Sequence, residues 1–320
     1  MTPLVTIGMT AFDAEASIAR AVRSALAQQW RPLEIVVVDD ASRDATGSIL
    51  AGLAAAHPEL RVFTQPANGG VAAARNRVIA EAKGEFVCFF DDDDESAPER
   101  VGAQLDRILA YERDFAGGAP VICHTARRLL QPDGSSRIAP TMGEMAGRPA
   151  PAGPAVAHRI LAGTPLADGN GACPTCSQMA RTSLYRALGG FDPAFRRAED
   201  TEFSIRLARA GGHFAGIGTP LVHQRMTLTA DKTLADERRY ALAVIDKHRD
   251  LFASAARYRF ARDWLELKHD WLARRRLAFA ARLLRLGANH PVGTTQRLLR
   301  ALPNFGINRA FRQFHAAPRA

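Results

Sequence analysis

Between Leu4 and Phe90 short apolar runs alternate with stretches of helical spacing, and this alternation limits the possible folds more than any other property of the chain. Leu4-Val5-Thr6-Ile7 reads as a short buried strand, and Ala14 to Gln29 follows with Ile18, Val22 and Leu26 on one helical face. The run Leu33 to Val38 predicts a second strand ending on Asp39-Asp40, Ala45 to Ala56 a second helix, and Leu60 to Thr64 a third strand. Asn68-Gly69-Gly70 is a turn and helix start, after which the spacing predicts a helix over Val71 to Ala82 and a strand over Glu85 to Phe90. Strands that alternate with helices predict an α/β fold with a doubly wound, mostly parallel, Rossmann-like sheet.

Two of these strands end on carboxylates, at Asp39 and at Asp91-Asp92-Asp93-Asp94. The carboxyl ends of parallel strands form the crevice in which open α/β sheets bind ligands. Four adjacent carboxylates repel one another unless a cation intervenes. A hard divalent ion takes carboxylate oxygens and bridges them to substrate phosphates. The competing reading is a solvated acidic loop ahead of the next helix, with Pro98 near its first turn.

At 320 residues and 47% hydrophobic content the chain can bury a sizeable core. Its formal charge of +9 is unevenly placed. Residues 1–231 hold 23 Lys and Arg against 26 Asp and Glu, and residues 232–320 hold 19 against 7, so all of the basicity lies in the last quarter. Four cysteines are too few for a disulfide scaffold, and the N-terminus lacks the basic start and long apolar run of a signal peptide. A cytoplasmic location is therefore expected. No run reaches the roughly 20 apolar residues that span a bilayer, so any membrane contact is expected to be peripheral.

The ordered motifs resemble a known family. Val5-Thr6-Ile7, Phe12-Asp13-Ala14-Glu15, Val36-Val37-Val38-Asp39-Asp40-Ala41-Ser42, Asn68-Gly69-Gly70 through Arg75-Asn76, and Phe89-Phe90-Asp91-Asp92-Asp93-Asp94 with Pro98 resemble the nucleotide-binding half of inverting family 2 glycosyltransferases. Leu188-Gly189-Gly190-Phe191-Asp192, Glu199-Asp200 with Arg206, and Ala210-Gly211-Gly212 resemble the family's acceptor half. The likeness covers about residues 3–229. It implies a GT-A fold, with a catalytic domain over 1–231 (nucleotide-sugar half 1–115, acceptor half 116–231) and a basic amphipathic helical extension over 232–320.

The resemblance also implies roles. Asp91 and Asp93 would hold Mn²⁺ or Mg²⁺ against the donor's diphosphate, with Asp92 in the variable middle position. Asp39 would accept from the base, and uracil N3–H suits it, which favours a UDP-sugar. Thr10 and Phe12 align with the family's Pro-x-Tyr-Asn start and depart from it; Phe12 can still pack on the base. Arg75 would meet phosphate or base with its planar fork, or make a surface ion pair. Asp200 would be the base that takes the acceptor hydroxyl's proton, with Glu199 beside it. A single displacement inverts the anomeric carbon.

Other features are less informative. Cys173-Pro174-Thr175-Cys176 has half the spacing of a zinc site without a second pair and reads as acceptor-loop structure. In His223-Gln224-Arg225-Met226-Thr227, Arg225 fits the family's Arg-x-His, but the histidine position is Thr227. The Pro- and Gly-rich stretch from Gln131 to Asn170 predicts neither a regular strand nor a long helix. Leu234 to Phe252 and Tyr258 to Leu286 predict amphipathic helices, the second with Phe260, Trp264, Leu267 and Trp271 on one face and Arg274-Arg275-Arg276 interrupting it. That composition suits an anionic membrane surface, and a helical appendage on the catalytic domain is the alternative. No nucleic-acid-binding signature accompanies the charge. A nucleotidyltransferase would need a glycine-rich, Arg-containing loop after the first strand, which Gly8-Met9-Thr10-Ala11-Phe12 lacks. The sequence thus predicts a metal-dependent transferase working on a glycan or lipid-linked acceptor in surface-polysaccharide synthesis. The alternative is an inactive relative serving as a nucleotide-sensing or membrane scaffold.

Overall fold

The computed structural model describes residues 2–226 and 233–301. The chain divides into two compact units, Met1–Arg159 with Thr164–Met226 and Ile160–Gly163 with Thr227–Ala320. The first unit runs β1 (Val5–Ala11), α1 (Ile18–Leu26), β2 (Leu33–Asp39), α2 (Thr46–Ala56), β3 (Leu60–Thr64), α3 (Val71–Glu81), β4 (Phe86–Asp91), β5 (Glu95–Ser96), α4 (Arg100–Tyr111), β6 (Val121–Leu130), β7 (Ser136–Ala139), α5 (Pro154–Ala162), β8 (Gln178–Arg181), α6 (Thr182–Ala187), α7 (Glu199–Arg209) and β9 (His213–Arg225). The last turn of α5 belongs to the second unit.

Among the described residues the strands form one sheet in the order β3-β2-β1-β4-β8-β6-β9-β5, with β7 on β6. The block β3-β2-β1-β4 is wholly parallel. Beyond it β8 runs antiparallel to both β4 and β6, while β6 and β9 pair in parallel. Alternation along each strand supplies two apolar faces. Val5, Ile7 and Met9 of β1 and Phe86, Cys88 and Phe90 of β4 share a core with Ile18 and Val22 of α1, Leu50 of α2, and Val101 and Leu105 of α4. On the opposite face Phe89 meets Tyr185 and Phe191 edge-on, and Phe191 packs on Phe203 of α7. Helices therefore cover both faces.

Arg100 is fully buried and ties α4 to the sheet, donating to the Phe89 carbonyl and Ser96 Oγ at 2.8 Å and to Gln104 Oε1 at 2.9 Å. Gln104 in turn donates to the carbonyls of Cys123 and Ser177.

Three sequence expectations are corrected. The first helix starts at Ile18 rather than Ala14: Ala14 to Ser17 form a separate turn, in which Ser17 N–H and Ile18 N–H both donate to the Ala14 carbonyl, and Ser17 at φ −126° stands outside the helical conformation. The stretch from Gln131 to Asn170 does contain a sheet strand. Pro132-Asp133-Gly134-Ser135 is a turn sequence, with Gly134 at φ +82°, and it folds β7 back onto β6. Pro154 begins the nine-residue α5, its ring placed where a helix needs no N–H.

The second unit holds α8 (Leu234–Lys247), α9 (Ala255–Leu272), α10 (Arg276–Asn289) and α11 (Pro291–Ala301). The second predicted helical segment is a broken pair, interrupted at the expected arginines between α9 and α10, where Arg274 takes φ +59°. The third correction is here, since the aromatic face of α9 is not free. Phe260 meets Trp264 and His290, Arg297 lies over both Phe260 and Trp264, and Trp271 packs on Phe279 of α10. Among the described residues the exposed large apolar side chains of this unit are instead Leu277, Leu284, Val292, Leu298 and Leu299, on α10 and α11. No helix among the described residues is long and apolar enough to cross a membrane.

Candidate active site

The parallel register brings three strand ends together. Ala11 of β1 lies opposite Asp39 of β2, and Thr10 lies opposite Asp91 of β4. With neighbouring strands roughly 4.8 Å apart, Asp39 and Asp91 stand about 10 Å from each other across β1.

Asp39 is buried, and its Oδ1 accepts from the Ser42 N–H at 3.0 Å and the Ser42 hydroxyl at 2.5 Å. It caps its own turn while Oδ2 takes no hydrogen bond among the described residues. Asp40, which the sequence reading did not single out, accepts from Gly69 N–H and Gly70 N–H at 2.8 Å each and from the Gln65 amide. Gly70 opens α3 at φ +85°, a conformation suited to glycine. Asp40 thus fixes the turn that aims α3 at the site. The Asp39-Asp40 doublet was the available signal, because adjacent strand residues point to opposite sides.

Arg75 of α3 is buried and bridges two carboxylates. It donates to Glu199 Oε1 at 2.5 Å and to Asp91 Oδ1 at 3.2 Å, and its guanidinium lies 5.6 Å from the Phe191 ring centre. It is neither on the surface nor free to meet a ligand with its whole fork. Asn76, next along α3, exchanges two 2.7 Å hydrogen bonds with the Phe191 backbone. A side chain at Gly190 would put its Cβ 2.3 Å from Asn76 Oδ1, so this approach requires glycine. The Leu188 to Phe191 turn is further held by Arg206 of α7, which donates to the carbonyls of Leu188 and Gly190.

Ala198 adopts φ +61° just before α7, an uncommon conformation for a residue with a Cβ. The turn presents Glu199 and Asp200 in sequence. Glu199 is buried, which raises its carboxyl, and Asp200 raises it further while Arg75 pulls it down; burial is the largest cause. Asp200 is half-buried. Its Oδ1 accepts from Thr201 N–H and the Thr201 hydroxyl, leaving Oδ2 without a hydrogen bond among the described residues.

The acidic run folds as a turn over Asp92 and Asp93, which returns Asp94 to the side of Asp91. Asp92 Oδ2 accepts from Phe12 N–H at 3.1 Å, tying the end of β1 to the turn, and the Phe12 ring itself is exposed. Burial, then the charges of Asp93 and Asp91, push Asp92 up to about 8. Arg20 donates to the Asp93 carbonyl. Asp94 is buried, with Oδ1 accepting from Arg225 N–H at 3.0 Å and Oδ2 lacking a hydrogen-bond partner. Burial and the neighbouring Asp91 and Asp93 hold its carboxyl well above the usual range.

Oxygens of Asp91 and Asp94 and the Cys176 sulfur lie within 4.8 Å of one another. Asp93, expected as the direct metal ligand, is not in that grouping. Two carboxylates, one with an orphaned buried oxygen, suit a hard divalent cation. Cys173 and Cys176 are free thiols, and burial pushes Cys173 up to about 12 and raises Cys176 as well. His223 pairs with Glu95 in the sheet, Arg225 donates to Glu95 Oε1 at 2.9 Å, and Thr227 lies outside the described residues.

Comparison with known proteins bears on this arrangement. Residues 6–159 match the family model "Glycosyl transferase family 2". Those residues carry a domain of that family. The chain is 38% identical over 114 residues to the succinoglycan biosynthesis protein ExoO of Rhizobium meliloti, covering 36% of this chain and 32% of that protein. It is 34% identical over 134 residues to a chondroitin synthase of Pasteurella multocida, covering 42% and 13%. The chain thus spans about a third or less of either relative. By structure, the chain resembles the mannosyltransferase PcManGT of Pyrobaculum calidifontis, solved with GDP-Man and Mn²⁺, at a TM-score of 0.58 and 20% identity over 99% of this chain and 85% of that one. It also resembles S. aureus TarS solved with UDP-GlcNAc, at 0.56 and 16% over 97% and 90%. These likenesses show a shared GT-A fold.

Proposed function

We propose that this chain is an inverting glycosyltransferase that moves a sugar from a nucleotide-diphosphate donor, UDP-linked by preference, to a hydroxyl of a glycan or lipid-linked acceptor. The observation that carries the reading is the edge on which Asp39, Asp91 and the Glu199-Asp200 pair converge, with Arg75 joining Asp91 to Glu199. The named relatives ExoO and chondroitin synthase support polysaccharide assembly as the process.

In this reading the base packs by Phe12 and hydrogen-bonds Asp39, and the diphosphate lies over Asp91. Asp91 and Asp93, joined by Asp94, would hold a divalent ion, which when bound supplies charge neutralisation for the diphosphate. Arg75 orients Asp91 and Glu199 through its two hydrogen bonds. Asp200, with its free Oδ2, takes the acceptor hydroxyl's proton as that oxygen attacks the anomeric carbon, a contribution of roughly 10²–10⁴-fold. Attack opposite the leaving diphosphate inverts the anomeric configuration. The functional division falls at residues 1–231 and 232–320, with the second part resting on the cytoplasmic face of a membrane.

Calorimetric titration with UDP, GDP and dTDP, each with Mn²⁺ and with chelator, tests the donor site. Metal-dependent binding of one nucleotide, lost in Asp91→Ala, is expected. Absence of binding to all three would overturn the reading in favour of a non-catalytic scaffold.

A further inference from the structure

Two arginines on the far side of the acidic turn have no role in the reading above. In the β6–β7 ladder Arg127 faces Ala139 and Leu129 faces Arg137. Directly paired residues share a face of the sheet, so Arg127 and Arg137 are diagonal neighbours on one face, about 7–8 Å apart. The register of β6 against β9 shifts between Thr125 and Arg127, and such an irregularity re-aims the side chains beside it.

Their surroundings are unfavourable to two cations. Arg137 Nε is shut away from solvent with no hydrogen-bond acceptor among the described residues. Burial first, and then the charge of Arg127, lower the Arg137 guanidinium from its ordinary value. Arg127 donates to the neutral amide oxygen of Gln224. Its charge reaches Asp94, Cys173 and Cys176, so Arg127 borders the acidic turn. A donor left unsatisfied inside a protein requires an explanation, and a bound anion supplies one here.

Sheet order says which substrate brings the anion. Asp39 lies on β2, two strands from β4 in one direction, and Arg127 lies on β6, two strands from β4 in the other. A donor stretched from Asp39 to Asp91 leaves the arginine pair on the acceptor's side. Planar guanidinium forks match the geometry of phosphate and carboxylate oxygens.

We propose that Arg127 and Arg137 form an oxyanion subsite that receives a phosphate or carboxylate group carried by the sugar acceptor. This rests on the glycosyltransferase reading and narrows its acceptor to an anionic one.

The test is calorimetric titration of the full chain with inorganic phosphate, with glucuronate and, in parallel, with UDP, for wild type, Arg127→Gln and Arg137→Gln. At least one anion is expected to bind the wild type and to bind each variant about tenfold or more weakly, with UDP affinity within about twofold throughout. The stronger anion identifies the acceptor group. Equal anion binding by all three proteins, or none by the wild type, overturns the subsite. A fall in UDP affinity matching the fall in anion affinity also overturns it, because the arginines would then serve the donor diphosphate. Anion binding without UDP binding in any form instead counts against the donor reading and leaves the subsite standing. Should the variants fold poorly, the wild type decides: its melting temperature must rise more in phosphate or glucuronate than in chloride of equal ionic strength, and no such rise overturns the proposal.

Discussion

The Arg75 guanidinium meets the Glu199 carboxylate at 2.5 Å across 124 positions of sequence, and its other nitrogen reaches Asp91. One buried cation therefore couples the end of β4 to the start of α7. Removing one partner from a buried pair leaves an uncompensated charge, at a cost of roughly 3–5 kcal/mol. Arg75→Met is expected to lower unfolding free energy in urea by about that amount, since it strands the Glu199 and Asp91 carboxylates together, and Glu199→Ala to lower it less, because Asp91 still pairs the guanidinium. Equal, small losses from both would show that the bridge contributes little.

Asp200 differs from Glu199 in having no arginine hydrogen-bonded to it: its Oδ1 accepts from Thr201 and its Oδ2 takes no hydrogen bond among the described residues, whereas Arg75 donates to Glu199. Asp200→Asn is expected to cut sugar transfer by about 10²–10⁴-fold while leaving UDP affinity unchanged, the signature of a group that acts on the acceptor's proton. Activity and UDP binding measured on the same preparation check this. Unchanged transfer would remove Asp200 from the mechanism.

Asp94 carries the orphaned buried oxygen in the acidic turn. If it joins Asp91 around the cation, Asp94→Asn should weaken Mn²⁺-dependent UDP binding by about tenfold or more, equivalent to about 1.4 kcal/mol. Titration of Mn²⁺ against the protein with UDP present measures it. A loss confined to Asp93→Asn would return the site to the arrangement that the family resemblance implies.

His124 lies fully buried on β6, and burial pulls its imidazole from 6.5 down to about 3. Between those values the unfolded chain holds a proton that the folded chain refuses. Stability is therefore complete above about pH 6.5 and is lost progressively as pH falls towards 3. His124→Phe, whose ring can keep the stacking on Phe214, is expected to flatten that acid limb in urea unfolding followed at several pH values. A limb of undiminished slope would assign the loss to other groups.

The parallel half of the fold was legible because its strands are apolar runs and its helices keep their period. The helix start at Ile18 was less so, because it depends on the non-helical backbone of Ser17, while side chains of Asp44 and Thr46, distant in sequence, fix the turn before it. In the site, Asp39 and Asp91 were readable as strand-end carboxylates. The Arg75 bridge and the return of Asp94 were hidden, since both depend on how a turn and a remote helix close in space. Arg127 and Arg137 left no local signal, because only the β6–β7 ladder makes them neighbours.

The basic extension gives a prediction that differs from its sequence reading. The α9 aromatics are packed on their neighbours, and among the described residues the exposed apolar side chains lie on α10 and α11. Leu277 and Leu284 are 89% and 75% exposed, one heptad apart on α10, with Arg276 and Arg285 also exposed beside them. Residues 271–320 contain ten arginines and no Asp or Glu, so an anionic surface would attract the segment throughout. Each arginine near such a surface contributes about 1 kcal/mol, and each buried leucine about 1.5–3 kcal/mol. The full chain is expected to float with vesicles containing phosphatidylglycerol and not with phosphatidylcholine alone. Leu277→Glu with Leu284→Glu should abolish flotation without lowering the melting temperature. Flotation that survives the double change would move the contact elsewhere, and a drop in melting temperature would mean that another part of the chain, or a second copy, covers these leucines.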